Sequence, residues 1–205
     1  MKLGVLGGTF DPVHRGHLMM AEEARVRLGL ARVLLIPAGR PMSKPGRRVT
    51  AARHRLAMVR LAADGLPWLE VSAMEVERPG PSYTVDTISA LRTQYGPDVE
   101  VFFILGWDSL VQLPAWHEPD RLVSLCRLVA VPRPGQIQPD VGELERAIPG
   151  ISERVVFLDR PCVDISASAI REAVGRGEPV DHLVPETVAG YIREHRLYIK
   201  SRTLP

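Results

Sequence analysis

Short apolar runs, each about five residues long and separated by stretches of helical periodicity, constrain this chain more than any other feature. Residues 2–6, 32–36, 69–72, 99–105, 127–131 and 154–158 are such runs, several of them apolar almost throughout. Strands of that kind are buried on both faces, because an exposed face would alternate with polar residues. Between them, Leu18, Ala21, Ala24 and Leu28 fall on one stripe of a helix predicted over 17–28. Leu56, Val59 and Ala63 do the same for a helix over 51–63. Thr84 is placed to cap a helix running to about Tyr95 after the Pro79–Gly80–Pro81 turn, and closing helices are expected over 168–174 and 185–195. The expectation is an α/β fold: a doubly wound, Rossmann-like parallel sheet with helices on both faces. At 205 residues the chain fits one domain, 1–205, with a small C-terminal helical part from about residue 165.

Charge and cysteine content narrow the classes. The net charge is only +2, but 23 of the 26 cations are Arg, and no acid occurs between Glu23 and Asp64 while Arg25, Arg27, Arg32, Arg40, Lys44, Arg47, Arg48, Arg53, Arg55 and Arg60 do. That window reads as electropositive, either as a solvated helix face with a basic loop or as an anion-binding surface. Aromatics are 5%, too few for stacked bases along a basic groove, so no nucleic-acid partner is expected. Cys126 and Cys162 are far apart and supply neither a disulfide framework nor a zinc site. A reducing, cytoplasmic setting is expected, and no run approaches the roughly 18 apolar residues of a membrane span.

The chemistry is expected beyond the carboxyl ends of the strands, where open parallel sheets bind ligands. The first such end carries Gly7-Gly8-Thr9-Phe10-Asp11-Pro12-Val13-His14-Arg15-Gly16-His17. Gly7 and Gly8 let backbone N–H groups approach a phosphate, and the helix after them turns its positive end toward the same anion. His14 and His17, three apart at that helix start with Gly16 between them, can both donate to phosphate oxygens. Taken alone, they are equally a capping and a core histidine, whereas a metal pair lacks further ligands. Neither a G-x-G-x-x-G turn nor a Gly-Lys-Ser/Thr phosphate loop is present, which excludes the usual dinucleotide dehydrogenase and P-loop patterns.

This eleven-residue segment closely resembles the (T/H)-x-G-H signature of the nucleotidyltransferase superfamily, and specifically that of the nicotinate-nucleotide adenylyltransferases. Ile165-Ser166-Ala167-Ser168-Ala169-Ile170-Arg171 resembles the same family's second signature, with Ala167 in place of the usual hydroxyl. Ser82-Tyr83-Thr84-Val85-Asp86-Thr87 and Gly106-Trp107-Asp108-Ser109-Leu110, continuing through Leu113, Trp116, His117 and Glu118, resemble its acceptor and ribose segments. Trp107 is bulkier than the residue often found there. Residues 37–44 resemble its Pro-Pro-His-Lys loop with Met42 and Ser43 substituted, and Arg133 resembles a nucleotide-contacting Arg. The matched segments come in the expected order.

The resemblance implies adenylyl transfer from ATP to nicotinate mononucleotide, with Mg²⁺ on the ATP phosphates. It implies His14, His17, Lys44 and Arg171 as catalytic residues. Gly7, Gly8, Thr9, Phe10, Gly106, Asp108, Arg133, Ile165, Ser166 and Ser168 join His14, His17 and Arg171 as ATP-binding, and Thr9, Lys44, Thr84, Trp116 and His117 bind the acceptor. No protein-held metal is expected, and the oligomeric state, a homo-oligomer included, stays open. The phosphopantetheine adenylyltransferases share the glycine loop and the serine segment but are disfavoured by the two acceptor segments. A non-catalytic nucleotide- or RNA-binding module would leave the paired histidines without a purpose.

Overall fold

The structure is a computed structural model that describes residues 1–41, 49–161 and 163–199. Six strands form one sheet: β1 (Lys2–Gly8), β2 (Arg32–Pro37), β3 (Leu69–Val71), β4 (Glu100–Gly106), β5 (Arg127–Val131) and β6 (Val155–Phe157). Their order is β3-β2-β1-β4-β5-β6, and every pairing is parallel. The chain therefore winds one way from β1 to β3 and the other way from β4 to β6, opening a crevice at the carboxyl ends of β1 and β4.

Each strand sends alternate residues to opposite faces. On one face Leu35, Phe102, Ile104 and Val129 pack with residues of α1 (Arg15–Leu28), α2 (Ala52–Ala63), α8 (Ala167–Gly175) and α9 (Glu186–Glu194). On the other, Leu3, Val5, Leu34, Phe103 and Leu128 pack with α4 (Thr84–Tyr95), α5 (Trp107–Gln112), α6 (Pro119–Leu125) and α7 (Val141–Ala147). The expected doubly wound α/β fold is the one observed. Gly4 marks a close approach, because a Cβ there would lie 2.9 Å from the side chains of Leu30 and Val33.

Four local expectations are corrected. Helix α1 begins two residues early, at Arg15, so His14 is its N-cap and His17 its third residue. Thr84 does not cap α4: Tyr83 holds the N-cap position and Thr84 is the first helical residue. The stripe of α2 is rotated from the expected one, with Arg55, Met58, Val59, Ala62 and Ala63 buried and Leu56 only partly so. The physical reason is that Arg55 finds backbone partners inside. The last strand loses Arg154, which turns before β6, and Leu158. Short elements without strong periodicity were not legible: α5, α6, α7 and the four-residue α3 (Met74–Glu77).

Candidate active site

The crevice is lined by the segments at the carboxyl ends of β1, β4 and β5. At the end of β1 the chain passes Gly7 and Gly8 and turns through Phe10 with φ +49, a left-handed conformation costly for a bulky residue. Burial secures it: Phe10 is 2% exposed and meets His17 edge-on at 4.9 Å between ring centroids. Its ring is thus core, and what Phe10 can offer a ligand is backbone. A Cβ on Gly8 would lie 3.3 Å from the Phe10 ring.

His14 and His17 stack, with ring centroids 3.7 Å apart and planes inclined by 26°. The His14 backbone N–H donates to Nδ1 of His17 at 3.2 Å. An Nδ1 that accepts leaves the ring proton of neutral His17 on Nε2. Gly16 makes room for the stack, since a Cβ there would be 3.0 Å from His14 Nδ1. Burial, then the positive charge of Arg133, lowers the His14 pKa from its ordinary value to about 4. Burial, then His14, then Arg133 push His17 well below the usual imidazole range. Both rings are consequently neutral near pH 7, so each has one N–H to donate and no charge.

Arg133 comes just after β5 and lies 3.5 Å from Asp108 Oδ2, on α5. Asp108 Oδ1 is shielded and has no hydrogen-bond partner among the described residues, and the same holds for His14 Nδ1. Gly106 caps α5, and a Cβ there would come within 2.5 Å of Asp108 Oδ1. A carboxylate oxygen and an imidazole nitrogen, left without partners around one arginine, are what a polar ligand would complete.

The serine segment lies beside the start of α1. Ser166 is the N-cap of α8 and accepts from the Ala169 N–H at 3.1 Å, while Ser168 is inside the helix and accepts from Arg171 Nη2 at 3.1 Å. Arg171 Nη1 donates to the Asp11 carbonyl at 2.6 Å, tying α8 to the loop after β1. Ile165 Cβ would be 3.7 Å from a Cβ on Gly16, so the starts of α1 and α8 lie side by side. Two helix N-termini facing one crevice favour an anion.

A second group gathers where α4 begins. Tyr83 and His117 stack at 4.1 Å with planes 27° apart, and Trp116 meets Phe103 edge-on at 6.1 Å. Thr84, Trp116 and His117 are thus accompanied by Tyr83, a residue of the Ser82–Thr87 segment that was not among the expected site residues. Lys44 lies outside the described residues. Three other residues were not foreseen as site residues: Asp11, which sits within the first signature; Arg55, one of the cations of the acid-free window; and Tyr198, which carries no sequence signal. Besides Asp11's place in that signature, Arg55 carried a signal as the polar member of the 55, 58, 59, 62 stripe.

Comparison with known proteins gives the family. Residues 5–173 match the family model for cytidylyltransferase-like proteins. A relative from Dehalococcoides mccartyi described as "Probable nicotinate-nucleotide adenylyltransferase" is 48% identical over 198 residues, which cover 97% of each chain. One with the same description from Thermomicrobium roseum is 45% identical over 96% of this chain and 91% of its own. The solved structure of the Plasmodium falciparum nicotinic acid mononucleotide adenylyltransferase complexed with NaAD superposes with a TM-score of 0.78 at 17% identity, covering 96% of this chain and 97% of that one. These identities, over nine-tenths or more of each chain, place the chain in the nicotinate-nucleotide adenylyltransferase family.

Proposed function

We infer that the protein transfers AMP from ATP to nicotinate mononucleotide, giving nicotinate adenine dinucleotide and pyrophosphate. The observation that carries this reading is the stacked His14–His17 pair at the start of α1, facing the Arg133–Asp108 pair. Full-length identity to relatives described by this activity supports the choice of substrates.

In the reaction, a 5′-phosphate oxygen of the acceptor attacks the α-phosphorus in line, the bond from that phosphorus to the bridging oxygen breaks, and its electron pair leaves with pyrophosphate. No covalent enzyme intermediate is needed. The nucleophile is already anionic, so the site has no proton to remove and works by positioning and by stabilising charge. Nε2–H of His17, with its tautomer fixed by the His14 N–H, donates to phosphate oxygens, and His14 donates beside it. Arg171, the N–H groups at the start of α8 and those of Gly8 and Thr9 hold the triphosphate. Lys44 would add a charge from the loop after β2. Asp108 Oδ1 accepts from a ribose hydroxyl, and Arg133 keeps that carboxylate oriented. Thr84, Tyr83, Trp116 and His117 form the acceptor end, where aromatic faces suit a nicotinate ring.

ATP enters as its Mg²⁺ complex. Among the described residues no three His, Cys, Asp or Glu side chains converge to hold a metal, and Mg²⁺ is commonly carried by substrate phosphates and water. The histidines, Arg171 and the helix-end amides fit that arrangement, since they are donors toward phosphate and not ligands for a cation.

Pyrophosphate release by purified protein with ATP and Mg²⁺ tests the assignment, with nicotinate mononucleotide, nicotinamide mononucleotide and phosphopantetheine compared as acceptors. Preference for nicotinate mononucleotide is expected. Activity with phosphopantetheine alone would reassign the acceptor, and no activity with any of the three would overturn the enzymatic reading.

A further inference from the structure

Beneath the crevice lies a polar centre that the reaction does not touch. Asp11 and Arg55 are each 1% exposed, inside a region that is otherwise apolar core. Such groups persist only when their hydrogen bonds are met, and here the partners come from four separate parts of the chain. Arg55 Nε donates to the Thr50 carbonyl at 2.8 Å, Nη1 to the Thr9 carbonyl at 2.8 Å and Nη2 to the Gly39 carbonyl at 3.2 Å. Asp11 Oδ2 accepts from the Thr50 N–H at 3.3 Å, and Oδ1 from the Tyr198 hydroxyl at 2.9 Å. Thr50 thus stands between the two charges, giving its N–H to one and its carbonyl to the other.

The arrangement spans the elements that must stay in register for phosphate binding. Thr9 and Asp11 belong to the loop that ends at His14. Gly39 lies just past β2. Arg55 is on α2, and Tyr198 lies beyond α9, in a turn with φ +66. Arg171 holds the same loop from its other side through the Asp11 carbonyl. A planar guanidinium with three donors on three carbonyls fixes their relative positions in a way a lysine cannot.

We propose that Tyr198 and Arg55 are positioning residues of the adenylyl transfer: through Asp11 and Thr9 they hold the loop that presents His14 and His17, so that the turn after α9 sets the catalytic geometry. This rests on the adenylyltransferase reading. Neither side chain contacts phosphate; each acts through the loop. A displacement of that loop by even an ångström weakens hydrogen bonds made only in the transition state, so the loss falls on kcat more than on KM.

The test is Tyr198→Phe, which removes one hydroxyl and keeps the ring, with Arg55→Lys as a second variant that keeps the charge and loses the three-way fork. Two readouts are taken well below the melting temperature: kcat and KM for both substrates, and amide hydrogen exchange of the free protein. For Tyr198→Phe we expect kcat to fall about fivefold to tenfold with both KM values within twofold. Exchange should be faster across residues 7–17 and unchanged in α4. Arg55→Lys should show the same pattern more strongly. Unchanged kcat, a rise confined to KM, or exchange accelerated equally throughout the protein would each overturn the proposal. Exchange needs no turnover, so it decides the structural half even if wild type releases no pyrophosphate, an outcome that would instead count against the assigned reaction.

Discussion

The backbone N–H of His14 donates to Nδ1 of His17 while the two rings stack 3.7 Å apart, so one residue fixes both the orientation and the proton position of the other. An N-cap residue ordinarily satisfies the free N–H groups of its helix with its side chain. Here the third helical residue reaches back to the N-cap N–H, which leaves its ring proton on Nε2. Removing that donor with His17→Ala should lower kcat about 10²- to 10³-fold, the usual loss for one preorganised hydrogen bond to a charge-bearing transition state. Steady-state kinetics check it, and an unchanged kcat would remove His17 from the mechanism.

Because both imidazoles are held neutral, activity should not depend on imidazolium. Between pH 7 and 8.5, kcat/KM is expected to be flat as far as the histidines are concerned. A mechanism using imidazolium at its ordinary pKa would lose about tenfold per pH unit over the same range. A pH–rate profile at saturating Mg²⁺ distinguishes the two.

The same shift couples stability to pH. The folded-state pKa of His14 is about 4 against 6.5 when unfolded, so between those values the unfolded chain binds the proton that the folded one refuses. Stability is therefore full above pH 6.5 and falls as pH drops toward 4, by up to about 3 kcal/mol from His14. Urea unfolding at pH 7 and pH 4.5 should show the decline, and His14→Gln should reduce the part of it that this histidine causes.

Thr87 supports the proposed acceptor end from inside. It is 2% exposed, donates to Glu75 Oε1 at 2.6 Å and accepts from Arg78 Nη2 at 3.0 Å, while Arg78 also reaches the Tyr83 carbonyl. Burial raises the Glu75 pKa despite that hydrogen bond. Thr87→Val keeps the shape and removes one hydrogen bond of the buried carboxyl, leaving Ser82 and the Arg78 charge beside it, at a cost of about 1–3 kcal/mol. The KM for nicotinate mononucleotide should rise more than that for ATP, since Tyr83 and Thr84 are the nearest site residues.

Gly39 permits a contact that no other residue can make, because a Cβ there would fall on the Glu75 carbonyl oxygen. Its N–H is held by Ser82 Oγ at 2.9 Å and its carbonyl by Arg55. Gly39→Ala should lower the melting temperature by several degrees, as backbone shifts of this kind cost a few kcal/mol. A thermal shift below one degree would show that the strand end yields without strain.

Residue pattern points to a covered parallel sheet and to a ligand place at its strand ends, while the residues expected around that place come from the family resemblance. Apolar runs of strand length alternating with helical stretches favour a covered parallel sheet, and the glycines and histidines after the first strand and the serine cap of α8 carry their chemistry in local spacing. Local spacing could not reveal which charges turn inward. Arg55 is one of many arginines in an acid-free window, and its burial depends on carbonyls at Thr9, Gly39 and Thr50 that only the assembled fold brings within reach of one guanidinium. The neutrality of His14 and His17 likewise depends on burial and on Arg133, which is more than a hundred residues away in sequence. Tyr198 meets Asp11 across 187 residues, and that pairing belongs to tertiary structure alone, because hydrogen bonds and charge interactions depend on distance in space.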